Sequence, residues 1–348
     1  MAADAPPDGT TRPVVALLGA PDVPPPTNLD AWAELATIRP CTTDDLGDAL
    51  TGADVLVVWD FFSGALRDHW GAATDSLRWV HVCAAGVDAL LFDELTDSDI
   101  VVTNAHGAFD RPIAEFVLAS ILARDKRLHE SRRLQRDREW RHRETVRTTG
   151  TSALVIGTGG IGRETARLLR AVGIRVTGAG RTPRADDPDF GVVRDTGELA
   201  DYIGEFDTVV AIAPLTPQTD GMLSANVLAA MKPDAHLVNV GRGRLVDEAA
   251  LVDALRDGPV GAASLDVFVD EPLPADSPLW SMEQVAISPH MSGDVVGWRD
   301  VLADQVLDNL RRYRAARPGE LSSTLRNVVD KARGYVAPRV VRGGSPPA

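Results

Sequence analysis

The chain has 348 residues, of which 44% are hydrophobic and 25% charged, a composition that excludes a fibrous repeat and a largely disordered protein. Its length predicts about two domains, each large enough to bury a core. The formal net charge of −14 disfavours nucleic acids and anionic membranes as general partners, because both repel an acidic surface.

The sequence lacks signals for secretion, membrane insertion or metal binding. The first residues, MAADAPPDGTTRP, have no positive segment followed by an apolar one, and no later stretch approaches the ~20 apolar residues that cross a bilayer. Cys41 and Cys83 are too few for a disulfide framework and lack the spacing of a zinc site. We therefore expect a cytoplasmic protein without a metal. The proline- and glycine-rich ends, 1–11 and 337–348, are expected to be disordered.

Segments typical of buried strands alternate with helical patterns along the first third of the chain. The strand-like segments are VVALLG (14–19), ADVLVVWDF (53–61) and LRWVHVCAAG (77–86). Helical patterns include DAWAELATI (30–38) and IAEFVLASILARDKRL (113–128), with Pro112 in the first turn of the second. This alternation predicts βα units in a doubly wound sheet.

An arginine-rich stretch, residues 124–147, follows and continues the second helix in this interpretation. It fits either a nucleic-acid patch or a solvated helix face with salt bridges. Five interspersed carboxylates favour the salt-bridged face: they are Asp125, Glu130, Asp137, Glu139 and Glu144.

A second βα series opens with SALVIGTGGIGRETARLLRAVG (152–173), which contains a G-x-G-x-x-G motif. The motif follows an apolar strand and begins a helix, which is the context that favours a dinucleotide site. Gly157 makes the tight turn, Gly159 lets a pyrophosphate approach the backbone, and Gly162 lets the helix pack on the strand. Gly160 and Ile161 complete the turn, whose N–H groups and helix dipole attract phosphates.

The end of the next strand, TGAGRTPR (177–184), bears on the choice of dinucleotide. An NAD site usually has a carboxylate about 20 residues past the glycines, but here none appears before Asp186. Arg181 and Arg184 can instead clamp a 2′-phosphate, with Thr182 adding a hydroxyl. NADP(H) is therefore favoured. The alternative is that the arginines form a solvated turn and that NAD(H) binds without its usual partner.

Three further motifs follow in order: NVGRG (239–243), DVFVDEP (266–272) and SPH (288–290). With the glycine motif, they make the chain from about residue 50 to 335 resemble the D-isomer-specific 2-hydroxyacid dehydrogenases. The GRTPR turn and the segment NVVDKARGYV (327–336) look most like the glyoxylate/hydroxypyruvate reductase branch.

The resemblance implies that Arg242, Glu271 and His290 are the catalytic residues. A guanidinium can hold the carboxylate of a 2-oxo acid bidentately. The carbonyl oxygen needs a proton when hydride arrives, and histidine is suited to supply it near neutral pH. A neighbouring glutamate favours the imidazolium and orients the ring. The other histidines are interpreted as structural.

The resemblance also implies further contacts. Ala85 and Gly86, in CAAGVD, match the loop whose amides bind the substrate carboxylate, or form a simple turn. Asp266 matches the residue that holds the nicotinamide carboxamide, although a buried aspartate capping a loop has the same sequence signature. The remaining residues expected to line the cofactor are Ala213, Pro214, Thr219, Val240 and Gly241.

The predicted fold is α/β, with two doubly wound Rossmann-like domains and an active site in the cleft between them. A flavodoxin-like substrate domain spans 12–104 and 292–335, and an NAD(P)-binding Rossmann domain spans 105–291. The arginine-rich helix matches the family's dimer arm, so the resemblance implies a homodimer in which Trp140 either reaches the partner or packs locally.

The expected activity is reduction of a small 2-oxo acid, such as glyoxylate or hydroxypyruvate, by NADPH. The alternatives are an NAD-dependent D-2-hydroxyacid dehydrogenase with another substrate range and a dinucleotide-sensing, corepressor-type interaction module. A formate-oxidising relative is disfavoured, because that branch carries glutamine at the position of Glu271.

Overall fold

The structure is a computed structural model that describes residues 12–60 and 63–336. The segments 1–11 and 337–348, which the sequence predicts to be disordered, lie outside the described residues. The chain folds into two compact units. The described part of the first comprises residues up to Ala108 together with 297–336, and the second is Phe109–Val296. The functional assignment of these units stays a prediction.

The strands of the described residues alternate with helices. In chain order the strands are β1 (Val14–Leu18), β2 (Thr37–Cys41), β3 (Val55–Val58), β4 (Trp79–Val82), β5 (Val101–Asn104), β6 (Ser152–Ile156), β7 (Arg175–Gly180), β8 (Arg184–Asp187), β9 (Gly191–Asp195), β10 (Thr208–Ala211), β11 (Ala235–Asn239), β12 (Val260–Leu265), β13 (Val285–Ile287), β14 (Val329–Asp330) and β15 (Tyr335–Val336).

The α-helices are α1 (Leu29–Ala33), α2 (Leu46–Leu50), α3 (Asp93–Asp97), α4 (Asp110–Asp125), α5 (Leu128–Arg136), α6 (Gly160–Ala171), α7 (Leu199–Tyr202), α8 (Ala225–Ala229), α9 (Glu248–Arg256), α10 (Trp298–Ala315) and α11 (Leu321–Thr324).

The first unit contains a parallel sheet with the strand order β2-β1-β3-β4-β5. This 2-1-3-4-5 order is that of flavodoxin-like folds. Its strands are valine- and leucine-rich because both faces are covered, and Leu18, Leu56, Val80 and Val102 belong to one buried cluster. The three strands predicted here from valine-rich segments are confirmed as β1, β3 and β4.

The predicted helix over DAWAELATI is only partly present. Helix α1 ends at Ala33, and Thr37–Cys41 forms the edge strand β2. The β-branched Thr37 and Ile38 favour a strand, and Pro40 excludes a helix interior but is tolerated at a sheet edge. The apolar spacing that looked helical therefore crosses a helix, a turn and a strand.

The second unit contains an eight-stranded sheet with the order β13-β12-β11-β10-β6-β7-β9-β8. Its strands β9, β7, β6, β10, β11 and β12 pair in parallel, in the 3-2-1-4-5-6 order of a dinucleotide-binding fold. Among the described strands of this sheet, only β8 is antiparallel to its neighbour, β9. The predicted α/β fold with doubly wound Rossmann-like sheets is thus confirmed, and SALVI is confirmed as β6.

The prediction of one continuous arginine-rich helix is wrong. Helix α4 ends at Asp125, Arg127 adopts a left-handed backbone with φ 52°, and α5 runs only to Arg136. Residues 137–148 form neither helix nor strand and are mostly exposed.

Contacts distant in sequence explain the break. Lys126 donates to the carbonyl of Val146 at 2.5 Å, and Arg143 donates to the carbonyl of Arg127 at 3.2 Å. Some of the expected salt bridges do form, since Glu130 pairs with both Arg127 and Arg143.

Each helix among the described residues is too short or too polar to span a bilayer. The same part of the chain shows no group of three or more His, Cys, Asp or Glu side chains arranged to hold a metal ion.

Candidate active site

The candidate site is built on the loops that follow five adjacent parallel strands of the second unit. In the sheet, β13, β12, β11, β10 and β6 are neighbours, so the loops after their carboxyl ends meet along one edge. Ligands of open α/β sheets bind at this edge. Residues separated by more than 130 positions, from Gly157 to His290, are thereby brought to one edge of the sheet.

The glycine motif adopts the geometry that a dinucleotide requires. Gly157 has φ 118°, and a Cβ atom there would lie 2.8 Å from the backbone of Ile212 and Ala213. A Cβ at Gly162 would collide with the carbonyl oxygen of Gly157. Gly159, by contrast, faces open space at the N-terminus of α6, where a pyrophosphate can approach the backbone.

The next positions of the motif are enclosed by neighbouring side chains. A Cβ at Gly160 would meet the carboxylate of Asp110, which lies at the start of α4. Ile161 is partly buried in the first turn of α6. The sequence interpretation missed Asp110, because nothing near Asp110 signals that α4 begins beside the glycine turn.

The loops after β10 and β11 continue the same edge of the sheet. The hydroxyl of Thr219 donates to the carbonyl of Pro214 at 2.7 Å, which closes the predicted 213–219 loop on itself. Ala213 and Val240 are buried, and a Cβ at Gly241 would lie 3.1 Å from the carbonyl of Ala213. The backbone of Ala213 thus lies close to both Gly157 and Gly241.

Arg242 is held by its own loop. Its Nη1 donates to the carbonyl of Gly241 at 2.8 Å, and Asn239 Nδ2 donates to the Arg242 carbonyl at 2.9 Å. A Cβ at Gly243 would collide with the backbone of Phe268 and Val269. Only glycine fits there, so the Arg242 loop lies directly against the loop that carries Glu271.

Glu271 and His290 form a hydrogen-bonded pair. The Nδ1 of His290 lies 2.7 Å from Glu271 Oε2, and the other carboxylate oxygen accepts the Phe268 N–H at 2.9 Å. About 29% of the His290 side chain and 32% of the Glu271 side chain is exposed. The ring edge bearing Nδ1 is therefore fixed, while the pair stays accessible to a small molecule.

The charge state of Glu271 follows from its surroundings. Partial burial raises its pKa, but hydrogen bonds from His290 and from the Phe268 N–H lower it, and the positive charge of Arg242 lowers it further. The balance leaves the pKa of Glu271 below its ordinary value. The Glu271 carboxylate is therefore ionised at neutral pH.

Asp266 is completely buried and is bonded to the loop that follows β13. Its carboxylate accepts N–H groups of Met291 and Ser292, both at 2.9 Å, and the hydroxyl of Ser288. Its carbonyl accepts the His290 N–H at 2.8 Å. These contacts are the ones expected if Asp266 caps a loop, which is the alternative interpretation of this residue.

The predicted 2′-phosphate residues lie after β7. Arg181 and Thr182 are exposed, whereas Arg184 Nε lies 2.7 Å from the buried carboxylate of Asp187. Arg163 contacts the same carboxylate at 3.1 Å. Burial opposes the charge on Asp187, but hydrogen bonds from Arg163 and Arg184 hold its pKa well below the usual range. Arg184 therefore has a structural partner that the sequence interpretation missed.

Ala85 and Gly86 follow β4 in the first unit and are partly buried. The side chain of Asn104 donates to the carbonyl of Ala85 at 2.6 Å and accepts the His106 N–H at 3.2 Å. Asn104, at the end of the adjacent strand β5, thus fixes this loop. The sequence interpretation missed this role of Asn104, for which the only signal was its position at the end of a strand.

The sequence also matches a known family. Residues 118–292 match the profile described as D-isomer specific 2-hydroxyacid dehydrogenase, NAD binding domain. The chain is 32% identical to a glyoxylate reductase of Thermococcus onnurineus over 265 residues, covering 73% of this chain and 78% of that protein. It is 33% identical to a (S)-sulfolactate dehydrogenase of Chromohalobacter salexigens over 243 residues, or 69% of this chain and 79% of that protein.

A solved structure shares both the sequence and the fold. It is a D-isomer specific 2-hydroxyacid dehydrogenase from Xanthobacter autotrophicus Py2 in complex with NADPH and MES, with a TM-score of 0.78 and 32% sequence identity. The similarity covers 93% of this chain and all of that one. The chain therefore belongs to the D-isomer specific 2-hydroxyacid dehydrogenase family, and the residues that match its NAD-binding profile lie within the second unit.

Proposed function

We propose that the protein reduces a small 2-oxo acid, with glyoxylate and hydroxypyruvate as the first candidates, to the corresponding 2-hydroxy acid at the expense of NADPH. The observation that carries this proposal is the 2.7 Å contact between His290 and Glu271, next to the Arg242 loop. A carboxyl-paired imidazole beside a guanidinium is what protonation of a carbonyl next to a carboxylate requires.

Each of the three side chains has a distinct task in this proposal. Arg242 binds the substrate carboxylate and orients the ketone. His290 donates a proton from Nε2 to the carbonyl oxygen as that oxygen gains negative charge. Glu271 holds the ring through Nδ1, so that Nε2 is left to face the ketone. Ala85 and Gly86 would bind the substrate carboxylate through backbone N–H groups.

NADPH, when bound, supplies the hydride. The open backbone at Gly159 fits its pyrophosphate, and Arg181 with Thr182 would contact the 2′-phosphate, with Arg184 as a second cation. The NADPH complex of the Xanthobacter relative supports this choice over NADH. NAD(H) stays the alternative if the arginines only stabilise the turn.

The test is a substrate panel followed with NADPH and with NADH separately. We expect NADPH to be consumed with glyoxylate or hydroxypyruvate at a kcat/KM at least about tenfold above that with NADH, the effect of about 1.4 kcal/mol of differential binding. A clear preference for NADH would contradict the arginine argument. Binding of dinucleotide without turnover of any 2-oxo acid would favour the interaction-module alternative.

A second candidate substrate class has its own support. The (S)-sulfolactate dehydrogenase of Chromohalobacter salexigens is as similar to this chain as the glyoxylate reductase is. A 2-oxo acid with a second anionic group, such as sulfopyruvate, therefore belongs in the panel. A kcat/KM for sulfopyruvate above that for glyoxylate would assign this chain to that substrate class.

We also propose that the protein forms a homodimer through its second unit. Residues 137–148 follow α5 and are mostly exposed, and the Trp140 side chain among them is fully exposed. Leu128 and Val146, on the same arginine-rich segment, are each about half exposed. An exposed tryptophan with neighbouring apolar side chains is typical of a protein interface.

A further inference from the structure

The loop that carries His290 has an unusual backbone. His290 has φ 51°, a left-handed conformation that residues with a Cβ seldom adopt. Such a conformation persists only where the surroundings fix it, and it often occurs at functional sites. The identity of the group that fixes it determines where the imidazole points.

Asp266 is that group. The N–H groups of three consecutive residues converge on it, with His290 bonded to its carbonyl and Met291 and Ser292 bonded to its two carboxylate oxygens. Successive N–H groups around a left-handed residue form a concavity that binds an anion. Here the anion is a side chain of the protein itself.

The same contacts leave Asp266 little capacity for a cofactor. A carboxylate offers about four acceptor positions, and Met291, Ser292 and the Ser288 hydroxyl take three of them. Asp266 is also completely buried, and these contacts of its carboxylate all go to the loop that follows β13.

We propose that Asp266 is a positioning residue for the proton donor: it holds the 290–292 backbone so that the His290 ring faces Glu271. The role in turnover depends on the proposed function, whereas the role in loop geometry does not. A displaced loop would separate the imidazole from Glu271 and from the ketone. Misplacing a catalytic group by about 1 Å can cost about 10²-fold in rate.

The test compares Asp266→Asn with Ser288→Ala. The first replaces one carboxylate oxygen with an NH2 group, which cannot accept one of the two backbone N–H bonds, and the second removes only the hydroxyl donor. We expect Asp266→Asn to lower kcat by about 10²-fold, with the Kd for NADPH unchanged within about threefold. Ser288→Ala should retain kcat within a few-fold.

Hydrogen exchange supplies a readout that does not depend on activity. In the wild type, the Met291 and Ser292 amides should exchange at least about 10²-fold more slowly than in an unstructured peptide. Asp266→Asn should remove most of this protection while protection in the β6 core persists. If Asp266→Asn does not fold, hydrogen exchange in the wild type alone tests the inference. Met291 and Ser292 amides that exchange without protection would overturn it.

Two other outcomes would also overturn it. One is a tenfold or greater rise in the Kd for NADPH with kcat and amide protection intact, which would restore the carboxamide role. The other is an Asp266→Asn variant with wild-type kcat and wild-type exchange. If the wild type reduces no 2-oxo acid at all, the proposed function fails, but the exchange measurement still tests the loop.

Discussion

His290 and Glu271, which are 19 positions apart in the sequence, share a 2.7 Å hydrogen bond between Nδ1 and Oε2. Each follows a different strand of the second unit, and the carboxyl ends of β12 and β13 are adjacent. The pair leaves Nε2 as the ring nitrogen that faces a substrate in the proposed reaction.

Replacing Glu271 with glutamine should preserve the side-chain volume but remove the negative charge beside the proposed proton donor. We expect kcat/KM for the preferred 2-oxo acid to fall on the order of 10²-fold at neutral pH, with the Kd for NADPH unchanged. Steady-state kinetics and a fluorescence titration of the dinucleotide check the two parts. Glu283→Gln, an exposed glutamate before β13, is the control and should retain wild-type activity.

Glu271 also predicts a pH dependence of stability. Because its pKa is lower in the folded protein than its ordinary value of 4.5, its contribution to the unfolding free energy is present above that value. The contribution is lost as the pH falls through the lower pKa of the folded state. The stability difference between wild type and Glu271→Gln, measured by denaturant titration, should shrink on acidification, and a difference that grows would contradict this.

Substituting Gly243 with alanine should separate the Arg242 loop from the Glu271 loop. The added Cβ would collide with the backbone of Phe268, which cannot move as a flexible side chain would. We expect a loss of about 1–3 kcal/mol in the free energy of unfolding and a fall of about 10²-fold in kcat.

Gly19→Ala is the matched control for Gly243→Ala, because a Cβ at Gly19 meets no atom within 4 Å. Equal behaviour of the two variants in denaturant titration and kinetics would show that the close approach of the two loops is unimportant.

Arg181 and Arg184 should differ when each is changed to alanine. Arg181→Ala should raise the KM for NADPH by about tenfold or more, the loss expected for charge-assisted bonds to phosphate. Arg184→Ala should cost about 1–3 kcal/mol of unfolding free energy, because it removes a partner of the buried Asp187 carboxylate. Equal KM effects without any loss of stability would make Arg184 solely a phosphate ligand.

Much of this site could be predicted from sequence because its residues lie in short motifs at strand ends. The glycine turn follows β6 directly, and Arg242, Glu271 and His290 each follow a strand. The sheet topology alone therefore predicts that these residues lie at the same edge of the sheet. The close approach of Gly243 to Phe268 could not be predicted, since it depends on the register of two loops. The break at Arg127 was missed for a similar reason: arginine favours helices, and the bonds that bend the chain come from Arg143 and Val146.

The proposed dimer predicts that Trp140→Ser lowers the molecular mass in solution from two chains to one at micromolar concentration. The tryptophan is fully exposed in the single chain, so its removal costs no internal packing. Analytical ultracentrifugation checks this, with Trp280→Ser as a control at a tryptophan that is 55% exposed. A wild type that sediments as one chain, or a Trp140→Ser variant that stays dimeric, would contradict it.

In the proposed reaction His290 delivers the proton to a bound 2-oxo acid. Single-turnover oxidation of NADPH by glyoxylate and hydroxypyruvate, in wild type and His290→Ala, tests this role most directly. We expect His290→Ala to slow the reaction by about 10²–10⁴-fold while still binding NADPH, and the exposed control His129→Ala to react at the wild-type rate. A His290→Ala variant that turns over as fast as the wild type would contradict the account.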